Sequence, residues 1–576
     1  MSNPDAVRER PPRFAAWLME PMQRNRQTYV KVAVAAAMIN IFGLVTSLFT
    51  MTVYDRVVPN NATASLIALT IGLAVVIVFD FALRTLRAYF VDIAGSEIDH
   101  EVGATVFQRL LALRLETRKG STGALTALMR ELETLRDFFA SATLTALVDV
   151  PFILITLGVT AMIGGPVVFV PLVMIPLVVL IGWLTHPAMD RLSARAMSGG
   201  LLKQSVLVET VGGLEMIKAS GAGPLLAKRW AKAVDDHADS SLRQRLVSSI
   251  SVNFAQSANT ISYAGVVIVG VGLIATNDLT MGGLIACSIL AGRAVAPLGQ
   301  IAQLLSRLTA TRTSYRQLQE LMATPAEGPS HEPLRLARVE GRIEFRNVAF
   351  RYPGATERAL DGVSFTITPG EHVGLLGRVG SGKSTIARLI LGLYPPEDGI
   401  VMIDGTDIRQ YDPADLRRNI GAAMQDSVLL SGTVRENITL GRDGVDDEEL
   451  IRVSQISGTH QFMGQLANGY DLRLADRGES LSGGQRQSIA IARSLAGRPP
   501  LVVFDEPSSA MDAQTEAGLL QRLGNELQDR TLILITHRPP LLQLVRRVIL
   551  LDRGKVITDG PRDKVLEQIR PPAKAA

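Results

Sequence analysis

The chain has 576 residues, 47% of them hydrophobic and 20% charged, with a formal net charge of +4. Its single cysteine, Cys287, excludes an internal disulfide bond, and the apolar neighbours favour a buried small side chain over a reactive thiol. Apolar residues concentrate before about residue 310, which predicts a membrane-embedded half followed by an ordinary soluble α/β half.

Residues 1–30 are predicted to form a basic cytoplasmic tail. Arginines at positions 8, 10, 13, 24 and 26 precede the first apolar segment. These residues do not show a short apolar core followed by a small-residue cleavage site, so the tail does not resemble a removable signal peptide.

Six apolar segments are predicted to cross a lipid bilayer, and they place an all-α membrane domain at residues 31–323. A helix needs about 20 apolar residues to span the hydrocarbon core. Four segments meet this requirement cleanly, and the last two are long enough but carry more polar residues. The segments are residues 33–53, 66–83, 144–163, 167–184, 252–275 and 281–305.

The connections between these segments differ in charge. Three short links carry almost no basic residues, whereas the tail and the long links at residues 84–143 and 185–251 are rich in arginine and lysine. Because cytoplasmic segments carry the excess of basic residues, both termini and both long links are expected in the cytoplasm. Within the second long link, residues 208–218 are interpreted as a short docking helix or, alternatively, as part of a solvated helical hairpin.

Polar residues inside the apolar segments have two interpretations. They are Asn253, Gln256 and Thr260, which share one helix face by their i, i+3, i+7 spacing, and the ionisable residues Asp80, Asp149 and Arg293. Ionisable groups are costly in a membrane and usually face a pore or a partner. These residues are expected either to line a polar translocation path or to form structural pairs, for example Arg293 with one of the aspartates.

Residues 324–340 are predicted to be a linker and residues 341–576 an α/β domain. Residues 377–385 lie between a predicted buried strand and a predicted helix, which is the setting of a phosphate-binding loop. The glycines let backbone N–H groups approach phosphates, and the helix N-terminus adds its positive dipole end. Lys383 is predicted to reach the β- and γ-phosphates of ATP, and Ser384 to ligate Mg²⁺.

Two carboxylates follow a later apolar strand at residues 501–504. Asp505 suits the shell of the metal ion, and Glu506 can polarise the attacking water. Upstream, residues 482–485 read Ser-Gly-Gly-Gln, open a predicted helix and form a second anion site. Because one domain already has its phosphate loop, this second site is predicted to close on the nucleotide of a second subunit.

The sequence Leu-Ser-Gly-Gly-Gln at residues 481–485 resembles the signature of the ATP-binding-cassette (ABC) family. The resemblance implies that Tyr352 stacks on adenine, that Gln425 contacts the metal ion and senses the membrane domain, and that His537 contacts the γ-phosphate. Residues 509–512, ending in Asp512, resemble the loop that couples two ATP sites.

The predicted site residues fall into three groups. The catalytic residues are Lys383, Gln425, Glu506 and His537. The metal ligands are Ser384, Gln425 and Asp505. The nucleotide contacts are Tyr352, Gly377, Gly380, Ser381, Gly382, Lys383, Ser384, Thr385, Ser482, Gly483, Gly484, Gln485 and Asp512.

One position departs from the family pattern. Exporters of this family usually have Gly-Glu-Arg-Gly before the signature, whereas residues 475–478 read Ala-Asp-Arg-Gly. The acid is one methylene shorter, so its contact with the membrane domain is expected to persist with altered geometry. The core ATP motifs are intact, and a homodimer is therefore expected to have two competent sites.

The membrane half resembles the ATPase-permeases of type I secretion systems, particularly those for large repeat-rich adhesins. This resemblance rests on residues 53–60, 136–152 and 282–298. It implies ATP-driven export of an unfolded polypeptide across the bacterial inner membrane, together with a periplasmic adaptor protein and an outer-membrane channel protein. Many such relatives begin with a cysteine-peptidase-like domain. The first cysteine is Cys287 and the first histidine is His100, so processing of leader peptides by this chain is not expected.

Two alternatives are open. A lipid or drug flippase of similar architecture is disfavoured by the polar face of the fifth segment and by the three resemblance stretches. A non-transport ABC ATPase acting on DNA or ribosomes is disfavoured by the membrane segments, and nucleic acid is not an expected partner. The expected partners besides a second copy are membrane lipids and the secreted polypeptide.

Overall fold

A computed structural model describes residues 15–117, 122–138, 143–329, 332–442, 444–466 and 468–569. The chain divides into two compact units. The first contains the chain up to Leu111 and the stretch that ends at Thr324, and the second combines Ala112–Arg118 with Pro325–Ala576. The predicted tail arginines at positions 8, 10 and 13 and residues 139–142 of the second resemblance stretch lie outside the described residues.

The first unit is built from helices. They are α1 Ala16–Arg24, α2 Arg26–Thr52, α3 Val58–Asn60, α4 Thr63–Leu111, α5 Thr122–Asp137, α6 Thr143–Gly164, α7 Phe169–Gly212, α8 Leu214–Ala219, α9 Gly223–Ala275 and α10 Met281–Ala323. A π-helical turn, Val53–Val57, joins α2 to α3, and a 3-10 turn, Gly165–Val168, joins α6 to α7. Apart from residues at their ends, the six predicted membrane segments lie within α2, α4, α6, α7, α9 and α10.

Five helical stretches of the described residues are long and apolar enough to cross a membrane. One of them, Asp149–Gly212, is 64 residues long and contains most of the third predicted segment and all of the fourth. The helices α4, α7 and α9 continue well beyond their apolar parts into the long basic links.

Small residues allow the helices of the first unit to approach closely. A Cβ atom at Gly270 would lie 2.3 Å from Leu284 Cδ1, and one at Gly265 would lie 2.7 Å from Val170 Cγ1. Cys287 is fully buried, as predicted for a small side chain in an apolar setting. Membrane helices associate through such close packing, because lipid supplies no hydrophobic driving force between them.

The ionisable residues of the membrane helices have local partners. Asp80 pairs with Arg84, one helical turn later, at 2.6 Å. Asp149 accepts a hydrogen bond from Asn40 Nδ2 at 2.8 Å. Among the described residues, no ion pair joins Arg293 to either aspartate, and the two interpretations of Arg293 stay predictions.

The second unit contains twelve strands among its described residues. They are β1 Ile343–Phe350, β2 Leu360–Ile367, β3 His372–Gly377, β4 Asp398–Ile403, β5 Thr406–Asp407, β6 Ile420–Ala423, β7 Gly432–Thr433, β8 Arg473–Leu474, β9 Leu501–Asp505, β10 Thr531–Ile535, β11 Arg547–Asp552 and β12 Lys555–Pro561. The helices are α11 Lys383–Ile390, α12 Pro413–Arg418, α13 Val434–Thr439, α14 Asp447–Ser457, α15 Thr459–Met463, α16 Gly483–Leu495, α17 Ala513–Glu526 and α18 Arg562–Ile569.

The strand order of the larger sheet positions the site. Its order is β12-β11-β3-β10-β9-β6, and all neighbouring pairs are parallel except β11 with β12. Strands β9 and β10 are buried at every residue, as expected for parallel strands covered on both faces. Because β3, β10 and β9 are adjacent, the segments that follow their carboxyl ends lie together at one edge of the sheet. A smaller antiparallel sheet has the order β2-β1-β4-β5.

The segment predicted to be a linker is attached along much of its length to the second unit. Leu334 forms a β-bridge with Tyr411, and the Val339 N–H donates to Asn419 Oδ1 at 3.3 Å. Near its start, the carboxylate of Glu327 forms a bidentate pair with Arg417, at 2.9 and 2.7 Å. These contacts fix the path of the chain where it enters the second unit.

Candidate nucleotide site

The loop between β3 and α11 has the backbone shape of a phosphate cradle. Gly377 and Gly382 have φ angles of 150° and 101°, which disfavour any side chain. A Cβ atom at Gly382 would also lie 2.6 Å from the carbonyl oxygen of Ala359. The helix α11 begins at Lys383, directly after the loop, so its free N–H groups and its positive dipole end face an anion placed in the cradle.

Lys383 is held inside its own loop. Its Nζ donates to the carbonyl oxygens of Gly377 at 2.8 Å and Arg378 at 2.9 Å. Burial lowers the pKa of Lys383, while the carboxylates of Glu506 and Asp505 act in the opposite direction. The ammonium group therefore lies within electrostatic reach of both acids, and its carbonyl partners are ones that phosphate oxygens can replace.

Asp505 ends β9 and is 2% exposed. Burial raises the pKa of its carboxyl group, whereas a hydrogen bond from Ser384 and the charges of Arg388 and Lys383 lower it. The hydroxyl of Ser384 and the carboxylate of Asp505 thus lie side by side at the mouth of the loop.

Glu506 and His537 are fixed to each other at the ends of β9 and β10. Glu506 has a φ of 52°, in the left-handed region that non-glycine residues rarely adopt. Its carboxylate accepts a hydrogen bond from the backbone N–H of His537 at 3.0 Å, and His537 Nε2 lies 3.9 Å from Glu506 Oε1. Half of the His537 side chain is exposed, so the imidazole is free to meet a ligand at the loop.

Tyr352 is anchored to α11 through its hydroxyl group. The hydroxyl lies 3.1 Å from Thr385 Oγ1 and accepts a hydrogen bond from Arg388 Nη1 at 2.7 Å. Its ring meets Tyr394 edge-on at 5.5 Å. The aromatic residue predicted for adenine therefore packs against α11, the helix that follows the phosphate loop.

The signature residues form a helix N-terminus. Ser482 caps α16 in a reciprocal pair with Gln485: its Oγ accepts from the Gln485 N–H at 3.3 Å, and its own N–H donates to Gln485 Oε1 at 2.9 Å. Gly483 packs against Ala510, where a Cβ atom would lie 3.0 Å from that of Ala510. Within the described part of the chain, no hydrogen bond or ion pair joins residues 482–485 to the phosphate loop.

Two further predicted residues lie at element ends. Gln425 is exposed and follows β6 after one intervening residue. Asp512 caps α17, where its carboxylate accepts from the Thr515 N–H at 2.8 Å, and this hydrogen bond lowers the pKa of Asp512. Asp476 lies in a 3-10 turn, but its side chain is outside the described part of the structure.

Sequence reasoning missed two side chains that organise this site. Gln487 of α16 donates to the backbone carbonyl of Glu506, and Arg538 donates to the backbone carbonyls of Ser509 and Met511. Gln487 follows the signature after one intervening residue, and Arg538 directly follows His537, but side-chain contacts to distant backbone atoms leave no periodic signal.

Comparison with known proteins identifies the family. The ABC transporter transmembrane region model matches residues 30–297, and the ABC transporter model matches residues 360–509. The leukotoxin translocation ATP-binding proteins LktB of Mannheimia glucosida and Bibersteinia trehalosi are 34% identical over 557 residues, which is 96% of this chain and 78% of each relative. The chain belongs to the ABC transporter family.

The fold of this ABC exporter also matches a solved structure, that of a bacterial Atm1-family ABC exporter with ATP bound. The TM-score is 0.82 with 24% identity, over 96% of each chain. The predicted fold class, a helical membrane-spanning domain followed by an α/β ABC nucleotide-binding domain, is confirmed. The protein is a membrane exporter whose second unit binds and hydrolyses ATP.

Proposed function

We propose that this ABC exporter is the ATPase-permease of a type I secretion system, which moves an unfolded polypeptide across the bacterial inner membrane. The main support is the 34% identity, over 96% of the chain, to proteins named for leukotoxin translocation. A homodimer would work with a periplasmic adaptor protein and an outer-membrane channel protein, with both termini of each copy in the cytoplasm.

The resemblance stretches support this proposal because two of them meet in the structure. Asp55, in the first stretch, accepts hydrogen bonds from Thr280 Oγ1 at 2.7 Å and from the Gly282 N–H at 2.8 Å. Gly282 opens the third stretch, and a Cβ atom there would lie 2.5 Å from the Met51 carbonyl oxygen. The two stretches therefore form one contact, between the π-helical turn after α2 and the start of α10.

In the proposed mechanism, two copies bind two ATP molecules head to tail. Lys383 exchanges its carbonyl partners for the β- and γ-phosphates of ATP in the cradle of its own chain. The signature of the other copy, residues 482–485, closes on the same ATP with the free N–H groups of α16. Tyr352 stacks on adenine, held by its hydrogen bonds to α11.

The chain offers suitable ligands for Mg²⁺. Ser384 and Asp505 present oxygen atoms side by side, and Gln425 is exposed at the end of β6 to add a third. These residues would hold Mg²⁺, which would supply positive charge against the charge that develops on the phosphates.

Glu506 is the residue proposed to activate water. Its carboxylate is fixed by the His537 N–H and accepts the proton of the attacking water, while His537 holds the γ-phosphate. Asp512 begins α17 beside the signature helix and couples the two ATP sites. Hydrolysis separates the copies and resets the membrane unit.

Exposed apolar and polar faces of the membrane unit support the transport role. On α8, Leu214 and Met216 are 47% and 65% exposed in the single chain, as expected for a short helix that docks on a second copy. On α9, the shared face of Asn253, Gln256 and Thr260 is exposed. We propose that this polar face lines the path of the polypeptide.

The substrate class is tested by stimulation of ATP hydrolysis. In the purified, lipid-embedded exporter, chemically unfolded polypeptides should raise the ATPase rate severalfold, whereas the same polypeptides kept folded by disulfide bonds should not. The Glu506→Gln variant should remain inactive under all conditions. Stimulation only by lipids or small amphiphiles would move the assignment to a lipid or drug exporter.

A further inference from the structure

Residues 508–511, which separate the catalytic Glu506 from α17, are fixed by side chains from two other elements. Gln487 of α16 donates from Nε2 to the Ser509 hydroxyl at 2.6 Å and to the Glu506 carbonyl at 3.3 Å. Its Oε1 accepts from the Ala510 N–H at 2.9 Å. Gln487 is 6% exposed, so these bonds are shielded from water.

Arg538, which follows β10, also binds loop 508–511. Its guanidinium group donates to the Ser509 carbonyl at 3.0 Å and to the Met511 carbonyl at 3.2 Å. It also pairs with Glu516 at 3.3 Å, and Glu516 accepts a hydrogen bond from Ser508. Gln487 and Arg538 thus each form two hydrogen bonds with loop 508–511.

We propose that Gln487 is a positioning residue that couples the two ATP sites. When ATP occupies one site, Gln487 orients the catalytic glutamate of the other site. This inference rests on the proposed head-to-tail dimer. In that dimer, the signature of one copy contacts the ATP bound in the phosphate loop of the other copy. Glu506 of the first copy acts on the ATP bound in the phosphate loop of the first copy. Gln487 connects these two functions within one chain.

The geometry makes this connection direct. Gln487 lies on α16 only a few residues after the signature, so any shift of the helix N-terminus toward a bound phosphate moves its side chain. The backbone of Glu506 is already in a sparsely populated conformation that its surroundings must maintain. A hydrogen bond to its carbonyl is therefore well placed to set the direction of its carboxylate, and a small misplacement there is costly for hydrolysis.

The test is the cooperativity of ATP hydrolysis by the full-length exporter in lipid. Wild type should show a Hill coefficient approaching about 2, the number of sites in the dimer. Gln487→Met preserves the volume but removes all three hydrogen bonds, and it should reduce the maximal rate about 10–100-fold with a Hill coefficient near 1. Binding of a fluorescent ATP analogue in the absence of hydrolysis should not change.

Two further variants separate coupling from folding. Ser488→Ala, at the next position of α16, removes only a bond to the helix's own Gly484 carbonyl and should behave as wild type. Arg538→Lys keeps a positive charge beside Glu516 but cannot reach both carbonyl groups, and it should also lower the Hill coefficient. A Hill coefficient near 1 in wild type, or one left unchanged by Gln487→Met and Arg538→Lys, contradicts the proposal. The catalytic role of Glu506 is tested separately by Glu506→Gln, which should lose ATP hydrolysis. This test does not depend on the Hill coefficients of the Gln487 and Arg538 variants.

Discussion

At the scale of single residues, the site is a set of charged groups whose partners are already in place. Lys383 is bonded to two carbonyl groups, Asp505 to Ser384, and Glu506 to the backbone of His537. This arrangement costs little reorganisation when phosphate arrives, because the groups exchange hydrogen-bond partners rather than move into the site.

Lys383→Met should lower the rate of ATP hydrolysis without lowering the unfolding temperature of the ATP-free protein. Burial lowers the pKa of Lys383 in the folded state, so the unfolded chain holds this proton more tightly, and the charged ammonium opposes folding at neutral pH. The ATP-free variant should therefore unfold at the same temperature as wild type or at a higher one. ATP hydrolysis should fall by about 10²–10³-fold, as for loss of a group that stabilises the transferring phosphate.

The measurement is a thermal unfolding series with and without ATP, together with an ATPase assay. Wild type should be stabilised by ATP, since a ligand that binds only the folded state raises its stability, and Lys383→Met should lose most of this shift. Lys564→Met, at an exposed position of α18, is the matched control. A marked loss of stability without ATP would contradict the account of Lys383.

The site residues were predictable to the extent that they belong to short local motifs. The phosphate loop, the two acids after β9 and the signature each occupy a few consecutive residues, and each type follows from the chemistry of phosphate. Gln487 and Arg538 were missed because their roles depend on backbone atoms about 20 to 30 residues away, which only the fold brings close.

At the scale of elements, the short segment Ala112–Arg118, between α4 and α5, belongs to the ATPase unit. The Glu327 N–H donates to the Ala112 carbonyl at 2.7 Å, and Leu113 forms a β-bridge with Ala326. Arg417 of α12 binds the Glu327 carboxylate and also donates to the Leu391 carbonyl, just after α11. The end of the phosphate-loop helix is thereby linked to Ala112–Arg118 through two side chains.

Glu327→Gln should weaken this link. The substitution keeps the shape of the side chain but removes its charge, and a hydrogen bond to a charged group contributes about 1.5–3 kcal/mol. Limited proteolysis should cut the 325–340 segment faster than in wild type. Glu332→Gln, an exposed acid of the same segment, should not change the cleavage rate. If the double exchange Glu327→Arg with Arg417→Glu restores the wild-type cleavage rate, the effect belongs to this ion pair. Equal cleavage rates of wild type and Glu327→Gln would contradict a stabilising role for the pair.

The helices themselves were largely predictable from the sequence, whereas the contacts that they and their connecting segments make were not. Apolar length placed all six predicted segments on helices, because the bilayer imposes a minimum helix length on a spanning segment. The place of Ala112–Arg118 in the ATPase unit depends on contacts with residues more than 200 positions later, which neither length nor periodicity encodes. The same holds for the partners of Asp149, which a helix-spacing argument cannot identify.

At the scale of the whole molecule, the residues predicted for hydrolysis lie in two separate groups on one chain. Among the described residues, the phosphate loop and the two acids converge at the edge of the larger sheet, while the signature caps a different helix. A second copy of the chain supplies the missing half of each site in the proposed dimer, and the membrane unit couples their closure to export.

The most direct test of this account compares the proteins secreted by cells that carry wild type, Glu506→Gln or the control Glu448→Gln, an exposed acid on α14. Mass spectrometry of the culture supernatant measures the outcome, with membrane levels of the exporter checked to be equal. Glu506→Gln should abolish secretion of one or a few polypeptides, which then accumulate inside the cells, while Glu448→Gln should match wild type. An unchanged set of secreted proteins, with their genes expressed, would contradict polypeptide export by this protein.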